Sequence, residues 1–303
     1  MALQQHMVDA QQMRAAGHYR EAEQNFTEIL REARRADPNS VFVAVVLDYL
    51  GATQQDLANY AEAERLLTQA LSQLKRAGQT STTNVALVKE HLGETYLEEA
   101  RYREAEPMLR QSLDILENDE QADPETVAVG MLDVAMVCEH LHKMREAEEL
   151  LNQSLAILEA RRGLDHPILA AVLGPLSSVL MRTGRYDEAV HAAERAWRIL
   201  GNNPAVGEPD RLNTMGALGT LYSLVGRYAE AETFAKEAVN RAEVIYGPDH
   251  PRLAYYLRAY ANVLKREDRK TESKAVERRS QAILNHSGQG NPEWHTVNVS
   301  ALR

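Results

Sequence analysis

The chain repeats itself at a fixed interval. "GRYDEAV" at 184–190 and "GRYAEAE" at 226–232 stand 42 residues apart. Steps of 42 backward find "HKMREAE" at 142–148, "ARYREAE" at 100–106 and "ANYAEAE" at 58–64. A step of 41 then reaches "GHYREAE" at 17–23, and forward the worn copy "DRKTESK" occupies 268–274. Seven registers in 303 residues cover nearly the whole chain. A period of this size marks an array whose units pack on their neighbours, so the usual length-based count of domains does not apply.

One unit reads as two helices. In residues 82–119 apolar side chains fall at Val85, Val88, Leu92 and Tyr96, then at Ala105, Leu109, Leu113 and Leu116. Those are steps of three and four, the helical period, and "EARYRE" carries the break between them. Small residues recur at one point of the first helix: Gly51, Gly93, Ala135, Ser177, Gly219 and Ala261. Early in the second helix stand Ala22, Ala63, Ala105, Ala147, Ala189 and Ala231, with larger knobs Leu67, Leu109 and Leu151 four residues after three of them. A glycine inside a helix costs about 1 kcal/mol against alanine, so its recurrence predicts a close helix crossing.

"GLDHP" at 163–167 returns as "GPDHP" at 247–251, a distance of 84, or two periods. The Asp-His pairs therefore sit at equivalent joints between units. Glycine suits the left-handed end of one helix, Asp165 or His166 can cap the next, and Pro167 fits its first turn. Other joints, "ADPN" at 36–39, "ADPE" at 122–125 and "GEPDR" at 207–211, lack histidine, so no ring of histidine ligands runs through the array.

With Leu92-Gly93, Tyr96 and Ala105 in one unit and Leu218-Gly219, Tyr222 and Ala231 in another, the chain resembles the tetratricopeptide repeat family. The 42-residue period, the G-x-D-H-P joints and the G-R-Y-x-E-A-E turns resemble its longer, kinesin-light-chain-like type. The resemblance implies an all-α, right-handed superhelix of about seven helical hairpins. The array is expected over 1–286, its last unit a cap, with a tail over 287–303. Glu277 stands where Leu109 stands in its relative, as a capping helix would have it. The tail carries Trp294, Val297, Val299 and Leu302, enough apolar character to dock on the array or on a second copy.

Composition and motifs exclude much else. The formal charge of −10 argues against nucleic acid as a partner. No leader pattern and no membrane-length apolar run is visible, so a cytoplasmic protein without a membrane partner is expected. Cys138 is the only cysteine. "CEHLH" at 138–142 spaces Cys138 and His142 as an i, i+4 pair. The register nevertheless puts Cys138 where other units have Tyr96, Leu180 and Tyr222, a packing position, and no zinc-like ligand set accompanies it. Neither a glycine-rich phosphate loop nor G-x-S-x-G is present. The expectation is a chain with no enzyme activity, no cofactor and no metal.

The family register implies that first helices line a concave groove. Inward candidates are Asp48, Asp56, Glu90, Glu94, Glu98, Asp133, Glu139 and His140, then Arg258, Asn262, Lys265 and Arg266. The acidic stretch would attract a basic peptide or extended protein segment. The expected function is a noncatalytic interaction scaffold; the alternative is a regulatory sensor gated by its own tail or by self-association. The family's chaperone-tail mode, with Lys and Asn at repeated inward positions, finds a match only at Arg258 and Asn262. The light-chain mode's Asn is replaced by Tyr49, His91, Asp133, Pro175, Ala217 and Ala259. Gly174-Pro175 predicts a kink, and "GNNPAVGEPD" at 201–210, which would need a short helix before it, predicts a flexible point.

Overall fold

The computed structural model describes residues 2–201 and 207–287. Among them are fourteen α-helices and no strand. The helices are α1 (Ala2–Ala15), α2 (Tyr19–Ala36), α3 (Val41–Asp56), α4 (Tyr60–Arg76), α5 (Thr83–Glu98), α6 (Tyr102–Glu117), α7 (Pro124–His140) and α8 (Met144–Arg162). There follow α9 (Ile168–Arg182), α10 (Tyr186–Gly201), α11 (Glu208–Leu224), α12 (Tyr228–Tyr246), α13 (Pro251–Arg266) and α14 (Lys270–Ser287). Two compact units divide the chain, residues 1–146 and 147–303. The proposed docking of the tail falls on residues 288–303, outside those described.

Within each unit the pairing follows the repeat. In the first, α3 packs on α4 and α5 on α6, while α2–α3, α4–α5 and α6–α7 join successive hairpins. In the second, the hairpins are α9–α10, α11–α12 and α13–α14, joined by α10–α11 and α12–α13. First helices also touch one another, α3 on α5 and α5 on α7, α9 on α11 and α11 on α13. Second helices make no comparable contact among the described residues. The first helices thus form the inner layer of each unit. The alanines at 22, 63, 105, 147, 189 and 231 are all fully buried, as are Leu67, Leu109 and Leu151.

The turn inside each hairpin has one geometry. Gly17, Ala58, Ala100, His142, Gly184, Gly226 and Asp268, all in register, have positive φ between 57° and 81°. The next residue closes the helix behind it: Arg101 N–H donates to the Tyr96 carbonyl at 2.8 Å and Arg185 N–H to the Leu180 carbonyl at 2.9 Å. This is the Schellman ending, which wants a left-handed residue. Only glycine takes that conformation freely; for alanine it costs roughly 1–2 kcal/mol, partly offset by a stiffer unfolded chain. Ala100→Gly is therefore expected to raise the unfolding free energy by about 0.5 kcal/mol, and Gly184→Ala to lower it by about 1 kcal/mol, in urea titrations.

The letters of the turn motif each have a task. The first glutamate of E-A-E pairs with the arginine three residues before it, as Glu104 does with Arg101 at 2.7 Å. The second reaches the next hairpin: Glu64 pairs with Arg101 at 2.7 Å, Glu148 with Arg185, and Glu232 with Arg269 at 2.8 Å. The Tyr96 hydroxyl donates to Glu64 at 2.9 Å, and the Arg101 guanidinium lies 4.3 Å from the Tyr96 ring centre. Where the second glutamate is replaced by Val190, Glu194 takes over Arg227 and Tyr222. Such half-exposed pairs add little strength each and mainly fix the stacking register.

The irregular points resolve locally. Pro175 lies inside α9, which runs as one helix from Ile168 to Arg182, so the proline does not break it. Helix α10 has 16 residues against 19 in α8 and in α12, and residues 202–206 of the joint after it lie outside those described. In the "DHP" joints Gly163 and Gly247 have positive φ. The histidines do the capping: His250 Nδ1 accepts from the Arg252 N–H at 3.1 Å and His166 Nδ1 from the Ile168 N–H at 3.3 Å.

Candidate functional site

In the first unit the inner layer carries the acidic residues singled out by sequence, but it does not leave them all facing solvent as a solvated groove lining. Asp48 is buried on α3, and its carboxylate lies 2.8 Å from Nδ1 of His91 on α5. Burial alone would lower the imidazole's pKa. Asp48, with Glu94 and Glu90 nearby, overrides burial and holds His91 at about 9, so it is a cation at neutral pH. Asp56 accepts from Arg14 Nε at 2.6 Å. Its carboxyl is nonetheless raised, because desolvation outweighs the arginine. These two acids are engaged in intramolecular ion pairs that join neighbouring hairpins.

Three others converge. Glu90 and Asp133 are each 1% exposed, and Glu94 is half-buried above them. One carboxylate oxygen from each lies within 4.8 Å of the others. The helical i, i+4 spacing puts Glu90 and Glu94 on one face of α5, and α7 supplies Asp133 from the next hairpin. Three oxygens so placed suit a single cationic group, an ammonium, a guanidinium or a hard metal ion. Glu98 and Glu139 are half-buried near the helix ends. His140 stacks on the Tyr102 ring of α6, with centroids 4.2 Å apart, and is thereby placed against a second-helix residue.

The "CEHLH" stretch does not form a ligand pair on one helix face. Helix α7 ends at His140, and His142 has φ +62° in the turn beyond. Cys138 is fully buried, its thiol pushed up to about 11 by burial and by Glu146, with Arg110 Nη2 3.4 Å from the sulfur. A thiol held protonated in this way is a poor metal ligand and a poor nucleophile at neutral pH.

In the second unit Arg258 and Asn262 of α13 line a shallow cavity of about 500 Å³ with Lys274, Glu277, Arg278 and Gln281 of α14. Lys265 and Arg266 are exposed in the last turn of α13 and do not line it. The sequence places His91 only where the light-chain mode has an asparagine, and its pattern does not single out Lys274 or Arg278. Each is visible only when its register neighbours are compared: His91 follows Glu90 opposite Asp48, and Lys274 stands where other units have glutamate.

Tetratricopeptide repeat models match residues 126–201 and 210–286, and a second such model matches 90–123. No curated protein matches the sequence. Among solved structures, the apo form of RapI is similar at 13% identity, over 96% of this chain and all of that one, with a TM-score of 0.71. BtubC (BKLC) from P. vanneervenii is similar at 22% identity, over 80% of this chain and 92% of that one, with a TM-score of 0.61. A Rap protein complexed with competence and sporulation factor is similar at 13% identity, over 94% of this chain and 77% of that one, with a TM-score of 0.71. These likenesses concern the fold. No helix among the described residues is long and apolar enough to cross a membrane. With recurrent small residues at each crossing, left-handed turns in register and family models over more than half its length, the chain belongs to the tetratricopeptide repeat family.

Proposed function

We propose that the chain is a noncatalytic protein-interaction scaffold whose first unit receives a basic side chain of an extended partner segment at Glu90, Glu94 and Asp133. The observation that carries this reading is the convergence of three carboxylates from consecutive inner helices, two buried and one open to solvent. Low-dielectric walls make such a site more attractive to a cation than the same charges in water. A complex between a Rap protein and competence and sporulation factor is one example of a similarly folded chain with a bound partner.

The test is binding of a fluorescent Arg- and Lys-rich peptide, followed by anisotropy in the presence of a chelator so that no bridging metal contributes. Glu94→Gln is the informative variant, since Glu94 is half-exposed and its amide keeps the shape. It is expected to weaken capture by about tenfold, roughly 1.4 kcal/mol, and rising salt should weaken the wild type similarly. Equal affinity of variant and wild type would remove the site from consideration.

A further inference from the structure

The hairpin α13–α14 has the opposite charge to the rest of the molecule. Residues 251–287 hold nine Lys and Arg against four Asp and Glu, a net +5 in a chain of −10. Three of those four acids are already engaged within the hairpin: Glu267 and Glu272 by Arg269, and Asp268 by Lys270. Three of the nine basic residues, Lys274 and Arg278 of α14 and Arg258 of α13, border the cavity against one acid, Glu277. Both Lys274 and Arg278 are exposed.

The repeat shows what such positions do. In earlier hairpins this is the face onto which the next hairpin packs. Arg278 is in register with Arg110, four periods earlier. Arg110 Nη1 holds the Glu146 carboxylate of the following hairpin at 2.8 Å. Lys274 is in register with Glu64, Glu106, Glu148 and Glu232, each of which grips a cation of the following hairpin. At Lys274 the sign is reversed. Glu277 and Gln281 stand where Leu109 and Leu113 are buried, so the face is polar as well as basic. Another hairpin of this chain would bring arginine against lysine here. A segment carrying carboxylates at both places is complementary instead.

We infer that the outer face of α13–α14 is a docking surface for an acidic helix of a partner protein, held through Lys274 and Arg278. The occupant is a helix because a helix is what covers the corresponding face of every earlier hairpin within its unit. This surface is separate from the carboxylate site of the first unit, and it takes ligands of the opposite sign.

The probe is a labelled helical peptide of about 15 residues, near the length at which isolated helices become stable, with glutamate along one face. A glutamine version serves as the neutral control. The full chain should bind the acidic peptide in preference to the neutral one, and less tightly as salt rises. Lys274→Glu combined with Arg278→Glu should cost about tenfold or more in affinity and should accept a lysine-faced peptide instead. Arg20→Glu combined with Arg103→Glu changes net charge equally at exposed positions elsewhere and should cost less than about twofold. Circular dichroism confirms that each variant keeps its helices. Equal loss in both double variants would reduce the effect to net charge and overturn the inference. So would acidic-peptide binding that emerges only when residues 288–303 are removed, since the chain's own tail would then be the occupant.

Discussion

Gly93→Ala should destabilise the first unit by about 1–3 kcal/mol, although alanine is the better helix former. A Cβ built on Gly93 lies 2.5 Å from Leu109 Cγ and 2.6 Å from its Cδ2. Leu109 is 2% exposed and hemmed in by its neighbours, so it has nowhere to move. Leu109→Ala alone leaves a cavity and should cost about 2–5 kcal/mol. In the double variant the new methyl enters space the leucine has vacated. The two changes should then cost less than their sum, by about 1–2 kcal/mol, in a denaturant-based double-mutant cycle. The second unit supplies the contrast. At Gly219 the added Cβ meets Ala235 itself, with the backbone nitrogen at 3.2 Å and Cα at 3.3 Å. No side-chain change at 235 can relieve that approach, so Gly219→Ala should destabilise without rescue. Strict additivity at 93 and 109 would mean that the crossing distance is not what selects glycine there.

The features legible in the sequence were those repeated at every unit. The small residue of the first helix, the alanine of the second and the leucine four residues on are each buried as their spacing implied. The "DHP" joints could also be read, down to histidine as one of two candidate caps. The left-handed turn was harder to see, because Ala58, Ala100, His142 and Asp268 occupy it alongside three glycines. There the hairpin imposes the conformation and local preference yields. The candidate site was only partly legible. Periodicity says which side chains face inward, but it is blind to which of them face each other. Asp48 and His91 are 43 residues apart and Arg14 and Asp56 are 42 apart, so each pair joins neighbouring hairpins at points one residue out of register. A list of inward acids therefore mixes Asp48 and Asp56, which are paired across hairpins, with Glu90, Glu94 and Asp133, which converge on one another.

Raising the pH from about 6.5 to 9 should loosen the first unit, and His91 is the reason. Its imidazolium is held by Asp48 at 2.8 Å, and its backbone carbonyl accepts from Gln55 Nε2 at 2.6 Å and from Thr95 Oγ1 at 2.8 Å. The Asp48 and Gln55 contacts join α3 to α5 with the charge largely shielded from water; the His91 side chain is 14% exposed. In the unfolded chain the imidazole titrates near 6.5, whereas in the folded unit it holds its proton to about 9. The folded state therefore binds the proton more tightly. The stabilisation is complete below the unfolded value and is lost as pH rises through the folded one, by up to roughly 3 kcal/mol. His91→Gln keeps most of the volume but cannot carry the charge. It should be less stable than wild type at pH 6 by about 3 kcal/mol, the order expected when one partner of a buried pair is removed. The gap should narrow as pH rises through about 9, where half of the wild-type histidine has itself become neutral. Urea titrations of both proteins across that range measure it directly. A gap that stayed constant with pH would show that His91 acts through its shape and backbone contacts alone, and the buried charge pair would have no part in holding α3 against α5.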